Sequence, residues 1–95
     1  MALYAAFVGI NTYANERIND LAGAKRDATA LWALFADSVP DMHAHHLSDH
    51  QATGEAIRKA LDATLGTAGP DDTALFYFAG HGSPAHQLVP HDTRI

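Results

Sequence analysis

The apolar run at residues 73–79 constrains the fold more than any other part of the chain. Its sequence, TALFYFA, contains no alternation of polar and apolar residues, and Gly80-His81-Gly82 follows it at once. A strand with one solvated face would alternate, so this run indicates a strand covered on both faces, as is usual in a parallel sheet. Residues 3–8, LYAAFV, have the same character. We therefore expect both segments to be strands of one parallel sheet.

Two segments with helical periodicity separate the predicted strands. The first covers residues 23–38, and Pro40 closes it. The second begins after Thr53, a predicted N-cap, and continues through Leu65, with Gly66 predicted to be a left-handed C-cap. The apolar stripe of the first helix, which we expect to lie in the core, consists of Ala24, Ala28, Leu31, Trp32 and Phe35.

The order of these elements predicts an α/β fold. A shorter strand is expected at residues 43–47, HAHHL, and residues 87–90, QLVP, are expected to add an extended piece. Strand, helix, strand, helix, strand implies a mainly parallel sheet of three to four strands with right-handed crossovers. If the first strand lies between the other two, one helix covers each face. Such a sheet leaves apolar surface and a free edge, so we expect the chain to need a further segment or to self-associate.

Composition and charge exclude several classes of function. The net charge is −5 at pH 7, and no basic stripe is present, so neither nucleic acid nor an anionic membrane is an expected partner. The apolar start, MALYAAFVG, follows no basic region and is too short to span a bilayer, so we expect a cytoplasmic protein. Cysteine is absent, which excludes a disulfide framework and a thiol nucleophile within these 95 residues.

His81 is the first candidate for chemistry. Ligands and catalytic groups of open parallel sheets gather beyond the carboxyl ends of the strands, and His81 follows the third strand at that end. An imidazole held there suits a general acid or base, and the amide of Gly82 could donate to a developing oxyanion. The alternative, which the spacing alone leaves open, is a structural histidine in a glycine turn.

The same loop permits two other interpretations. Gly80, Gly82 and Ala85 match the spacing of a dinucleotide-binding loop, but that loop must open a helix and Pro90 leaves little room for one. The letters HGS, ending at Ser83, resemble the oxyanion loop of lipase-type hydrolases, although no Gly-x-Ser-x-Gly elbow occurs in the chain.

A histidine cluster at residues 43–50 invites a comparison with zinc sites. Its members are His43, His45, His46 and His50. In a strand His43 and His45 share one face and His46 points to the other, and no second group of ligands is evident. A solvated edge strand followed by a loop therefore explains the cluster better than a metal site, and we predict no metal or other cofactor.

Several segments taken together resemble the first half of a caspase or metacaspase cysteine peptidase domain. FVGINTY is similar to the opening strand of that family, and LAGAKRDATAL to its first helix. DDTALFYFAGHGS resembles the strand that delivers the catalytic histidine, and LVPHDTR the Pro-x-Asp segment after it. The likeness covers essentially residues 1–95, and it implies the N-terminal, histidine-bearing portion of a three-layer caspase-like domain.

The resemblance implies roles for two residues and leaves one role empty. His81 would be the imidazole of a Cys–His dyad, and Gly82 would supply an oxyanion amide. The cysteine would lie about 50 residues beyond the histidine, on a C-terminal segment that would be a partner of this chain, as would a peptide or protein substrate. Leu21 stands where caspases place an arginine that binds aspartate, so no preference for aspartate is expected. The acidic insertion of many metacaspases shrinks to SPAHQ, which argues against calcium dependence.

Three functions agree with these observations. The first is the histidine-bearing part of a cysteine endopeptidase, inactive until a cysteine-bearing segment completes it. The second is a caspase-like pseudoenzyme that acts as a binding or regulatory module. The third is a fragment of a lipase-like serine hydrolase.

Overall fold

The computed structural model describes residues 2–82 and 87–93 of the chain. Its elements are β1 (Leu3–Gly9), α1 (Ala24–Ser38), β2 (His43–Ser48), a 3-10 turn (Asp49–Gln51), α2 (Gly54–Thr64) and β3 (Thr73–Ala79). The three strands form one sheet in the order β2-β1-β3, and both pairs of neighbours are parallel. The predicted α/β fold with a parallel sheet is confirmed, and the first strand lies between the other two, which is the arrangement that allows one helix on each face.

The side chains of β1 alternate between two helical layers. Phe7 faces α1, where its ring centroid lies 6.0 Å from that of Phe35. Val8 points to the opposite face and belongs to the same apolar cluster as Ile57 of α2. Both β1 side chains are fully buried. One helix therefore covers each face of the sheet, and β1 is its buried centre.

Gly9 allows α1 to start directly against the end of β1. A Cβ atom at Gly9 would lie 2.7 Å from the carbonyl oxygen of Ala24 and 2.8 Å from the Cβ of Ala28. No side chain can be accommodated at such distances. The small residues Ala24 and Ala28, both buried, complete this close contact. The glycine after the apolar run thus fixes how near the helix approaches the sheet.

The start of α2 agrees with its prediction, whereas its end does not. The Oγ1 atom of Thr53 accepts a hydrogen bond of 3.2 Å from the amide of Ala56, as expected of an N-cap. The left-handed cap predicted at Gly66 is wrong, because no glycine among the described residues has a positive φ. The chain instead continues in a turn, in which Ala68 donates its N–H to the carbonyl of Thr64.

Trp32 lies at the rim of the core and not within it. It is only partly buried, and its ring stacks on that of His46 in β2 with centroids 5.5 Å apart and an angle of 7° between the planes. Because β2 is an edge strand, no further strand among the described residues continues the sheet beneath this part of α1. The prediction of Trp32 as a core residue is therefore wrong.

No helix in the described residues is long and apolar enough to cross a membrane.

Candidate functional site around His81

His81 follows β3 at the carboxyl end of the sheet and is held at two points. Its backbone N–H donates a hydrogen bond of 2.9 Å to the hydroxyl of Tyr13. Its ring atom Nε2 lies 2.8 Å from the carbonyl oxygen of Asn19. Tyr13 and Asn19 both belong to the segment between β1 and α1. The histidine predicted as catalytic is thus anchored by the segment that connects β1 to α1.

The contact with Asn19 fixes which nitrogen of the His81 ring carries the proton. A backbone carbonyl oxygen can only accept a hydrogen bond, so Nε2 must be the donor. In the neutral ring Nδ1 is then the atom with a free lone pair. The ring is partly buried and lies against the ring of Tyr13, with centroids 5.3 Å apart and an interplanar angle of 46°. These contacts give the imidazole a defined orientation and a defined acceptor atom.

Gly82 is exposed and pairs with Leu88 in an isolated antiparallel bridge. The flanking hydrogen bond, 3.1 Å long, runs from the N–H of Val89 to the carbonyl of His81. In an antiparallel pair flanked in this way, the N–H and C=O of the paired residues point outward from the ladder. The Gly82 amide is therefore directed away from Leu88.

The segment at residues 87–93, which follows the His81 loop, tests the interpretation of Gly80, Gly82 and Ala85 as a dinucleotide-binding loop. Ala85 lies outside the described residues, as does Ser83 of the lipase-like HGS motif. Residues 87–93 contain no helix, and Leu88 instead pairs back with Gly82. A phosphate-binding loop needs a helix at this point, so the structure gives that interpretation no support.

Asp49 fastens the segment that holds His81. Its Oδ1 atom accepts N–H groups from Asn11 at 2.8 Å and Thr12 at 3.3 Å, and Oδ2 lies 3.7 Å from Nζ of Lys25. Burial disfavours the charge, but the two amides, Lys25 and His91 outweigh it and lower the pKa of Asp49 below its ordinary value. Asp49 has a φ of 48°. An ionised carboxylate in an uncommon backbone conformation therefore connects the end of β2 to the end of β1.

The segment after the His81 loop lies across the same end of the sheet. The backbone N–H of His91 donates a hydrogen bond to the carbonyl of Ala52, and the carbonyl of His91 accepts one from the N–H of Ala14. Both hydrogen bonds are 2.9 Å long. Asp92 accepts the N–H of Gly54 at 2.9 Å, in the first turn of α2. The Pro-x-Asp segment is thereby attached to α2 and to the segment that holds His81.

An open cleft of about 390 Å³ borders the His81 site. It shares Tyr13 and Asn19 with the contacts of His81, and it carries the carboxylates of Glu16 and Asp20. Burial raises the pKa of Tyr13 despite the hydrogen bond from His81, and Asp49 adds to this effect. The Tyr13 hydroxyl therefore remains neutral over the ordinary pH range.

The histidines of β2 do not converge. His43 stacks on Tyr4 with centroids 4.7 Å apart, and His45 is exposed. His46 points to the other face, where its Nε2 lies 3.1 Å from the hydroxyl of Thr29. Within residues 2–82 and 87–93, no three His, Cys, Asp or Glu side chains are grouped as a metal site would require. The alternation of faces predicted for this strand explains the separation.

The structure thus brings His81 and Gly82 together with two residues that sequence reasoning missed. Tyr13 and Asn19 lie 68 and 62 positions away from His81 along the chain. Residues 9–20, GINTYANERIND, are rich in Gly, Asn and Asp, which is typical of a turn, but such composition does not specify a contact with a distant strand.

Comparison with known proteins identifies one family. The family model described as the caspase domain matches residues 2–95. No curated protein and no solved structure gives a significant match to the chain.

Proposed function

Because the chain belongs to the caspase-domain family, we propose that it is the histidine-bearing part of a cysteine endopeptidase. In this proposal His81 transfers protons and the amide of Gly82 donates to the oxyanion. The nucleophilic cysteine is contributed by a segment outside these 95 residues, which contain no cysteine.

The observation that carries the proposal is the 2.8 Å contact between Nε2 of His81 and the carbonyl of Asn19. A histidine that activates a thiol needs one ring nitrogen to orient it and the other to accept the proton. The Asn19 carbonyl engages Nε2 and leaves Nδ1 as the proton acceptor. The match to the caspase domain favours this catalytic role over a purely structural one.

The chemistry follows from that assignment. Nδ1 takes the proton of the cysteine, and the resulting thiolate attacks the carbonyl carbon of the peptide bond. The oxygen becomes negative and accepts a hydrogen bond from the outward-directed amide of Gly82. The imidazolium then returns its proton to the departing amine, leaving an acyl-enzyme. Nδ1 next removes a proton from water, which hydrolyses the thioester and restores the thiol.

The completing segment is proposed to pair with the outer edge of β3. That edge has no partner strand in the described sheet, and its side chains Leu75, Phe76, Tyr77 and Phe78 are apolar and only partly buried. A parallel strand added there would lie about 4.8 Å away and would end beside His81. A second copy of the chain could occupy the same edge, which gives self-association as the alternative.

The specificity of the completed enzyme is proposed to exclude aspartate. A substrate carboxylate requires a cation, most effectively an arginine, and Leu21 stands where caspases carry one. The adjoining cleft carries Glu16 and Asp20, which repel a carboxylate. In a panel of fluorogenic peptides that differ only before the scissile bond, we expect no preference for aspartate. A tenfold or greater preference would contradict this part of the proposal.

The main test is reconstitution with a cysteine-bearing downstream segment, joined in cis or added as a second chain. The 95-residue chain alone is expected to be inactive, and Ser83→Ala is expected to change nothing. The completed protein should cleave a peptide substrate and lose that activity when its cysteine is changed to serine. Binding of the peptide without cleavage would favour the pseudoenzyme instead, whereas activity that survives the cysteine change but not Ser83→Ala would favour the serine hydrolase.

A further inference from the structure

We propose that Tyr13 is a positioning residue for His81, which it orients through the backbone while Asn19 orients the ring. This inference rests on the proposed function for its effect on catalysis, but its structural part concerns the contact between the two residues alone. Tyr13 is not assigned a role in bond making or breaking.

Two contacts join Tyr13 to the histidine. The hydroxyl accepts the His81 N–H at 2.9 Å, and the two rings lie 5.3 Å apart. The hydrogen bond from the His81 N–H to the Tyr13 hydroxyl fixes the backbone from which the His81 side chain projects. The ring contact restricts rotation of that side chain, so the pair of contacts directs Nε2 toward the carbonyl of Asn19.

Gly80 provides the space for this contact. A Cβ atom at Gly80 would lie 3.1 Å from the Tyr13 hydroxyl oxygen and 2.9 Å from the ring of Phe78. No described glycine has a positive φ, so the glycine is needed here for its lack of a side chain and not for its backbone conformation. The first glycine of Gly80-His81-Gly82 thus lets the tyrosine hydroxyl approach the chain.

Tyr13 is itself held rigidly enough to position another residue. It is 8% exposed and belongs to the core cluster that contains Val8, Ile10 and Ile57. The N–H groups on either side of it are also bonded, that of Thr12 to Asp49 and that of Ala14 to His91. A partly mobile loop could not transmit a fixed orientation, whereas this core residue can.

The segment between β1 and α1 therefore holds both the backbone and the ring of His81. Tyr13 bonds its backbone, and Asn19 bonds its ring. Removing only the hydroxyl of Tyr13 keeps the ring in the core and leaves the His81 N–H without its acceptor. We expect the imidazole then to sample orientations in which Nε2 no longer reaches Asn19.

The test compares Tyr13→Phe with Tyr4→Phe, a matched loss of one hydroxyl from a half-buried tyrosine of β1. The first measurement is the ¹⁵N spectrum of the His81 ring in the 95-residue chain, with thermal unfolding recorded for each variant. Tyr13→Phe should shift the ring from a single Nε2–H tautomer toward a mixture, whereas Tyr4→Phe should leave it unchanged. Gly80→Ala, which presses on Tyr13 from the other side, should shift the ring in the same direction.

The second measurement is activity in the completed enzyme. Tyr13→Phe should lower kcat about tenfold, the equivalent of one lost hydrogen bond, with little change in KM. Unchanged ¹⁵N shifts in folded Tyr13→Phe would overturn the inference, as would a kcat equal to that of Tyr4→Phe. If Tyr13→Phe changes the ¹⁵N spectrum of the His81 ring but the completed protein stays active without His81, the positioning role of Tyr13 is supported and the proposed function is refuted.

Discussion

The two edges of the sheet pair with the same central strand but differ in character. On the β2 edge His43, Ala44 and His45 are exposed, and the ring of His43 lies on Tyr4. On the β3 edge every residue from Ala74 to Ala79 is partly buried, and the segment contains Leu, Phe, Tyr and Phe in succession. Both strands are parallel to β1, so the backbone does not account for the difference.

The difference supports the proposal that the completing segment pairs with β3 and not with β2. Polar and titratable side chains at an edge discourage another chain from pairing there, and β2 carries them. The β3 edge has apolar residues on both faces, and the candidate catalytic residue follows at its end. A surface that is costly to leave in water therefore coincides with the place where the proposed chemistry needs a second segment.

The largest expected effect separates the histidines at the two edges. In the completed enzyme His81→Ala should reduce kcat at least about 100-fold, because proton transfer to and from the thiol is lost. His45→Ala, on the exposed β2 edge, should leave kcat within about twofold. Peptide hydrolysis at saturating substrate measures both. Retained activity in His81→Ala would make Gly80-His81-Gly82 a structural turn.

The next effect concerns stability. Phe78 packs against the α2 side of the core, so Phe78→Ala should lower the free energy of unfolding by about 2–3 kcal/mol, somewhat less than for a fully buried phenylalanine. His43→Ala removes an exposed stack and should cost no more than about 0.5 kcal/mol. Urea unfolding of the two variants compares the edges directly. Equal losses would remove the distinction between them.

A smaller effect is expected on self-association. The 95-residue chain should be of low stability or should associate through β3, and a lysine introduced at that edge should oppose pairing. We expect Thr73→Lys, at an exposed position of β3, to weaken association several-fold, while Ala44→Lys on β2 has no effect. Sedimentation velocity over a range of concentrations measures this. A cooperative monomer that melts well above about 65 °C would contradict the expectation for the isolated chain.

The smallest effect is a pH dependence on the β2 side. Burial, together with the charge of Lys25, lowers the pKa of His46 below 6.5. The unfolded chain therefore takes up a proton at this residue more readily than the folded one, and stability should decrease as the pH falls through about 6.5. His46→Gln should reduce that slope between pH 7.5 and 5.5, and His45→Gln should retain it. The midpoints of urea unfolding at several pH values measure this dependence. If His46→Gln leaves the change of stability with pH unaltered, His46 is not its source.

The sequence by itself determined the strands, the helices and their order along the chain, whereas the structure decided that β1 lies between β2 and β3 in the sheet. The unbroken apolar run Thr73–Ala79 was a sufficient signal for a strand, although β3 is an edge strand and its residues are at most partly buried. Thr53 was a sufficient signal for the start of α2. These features depend on residues close together in the chain. The same reasoning placed His81 at the carboxyl end of β3, since that position follows from the direction of the strand.

Only the tertiary structure decided what surrounds His81 and which apolar residues reach the core. Tyr13 and Asn19 meet the histidine across more than 60 positions of sequence, through hydrogen bonds that no local pattern encodes. Trp32 satisfies the helical period but lies over an edge strand, and Gly66 follows a helix that ends without a left-handed residue. Periodicity specifies which face of an element is apolar, whereas the partner of that face depends on packing between distant segments.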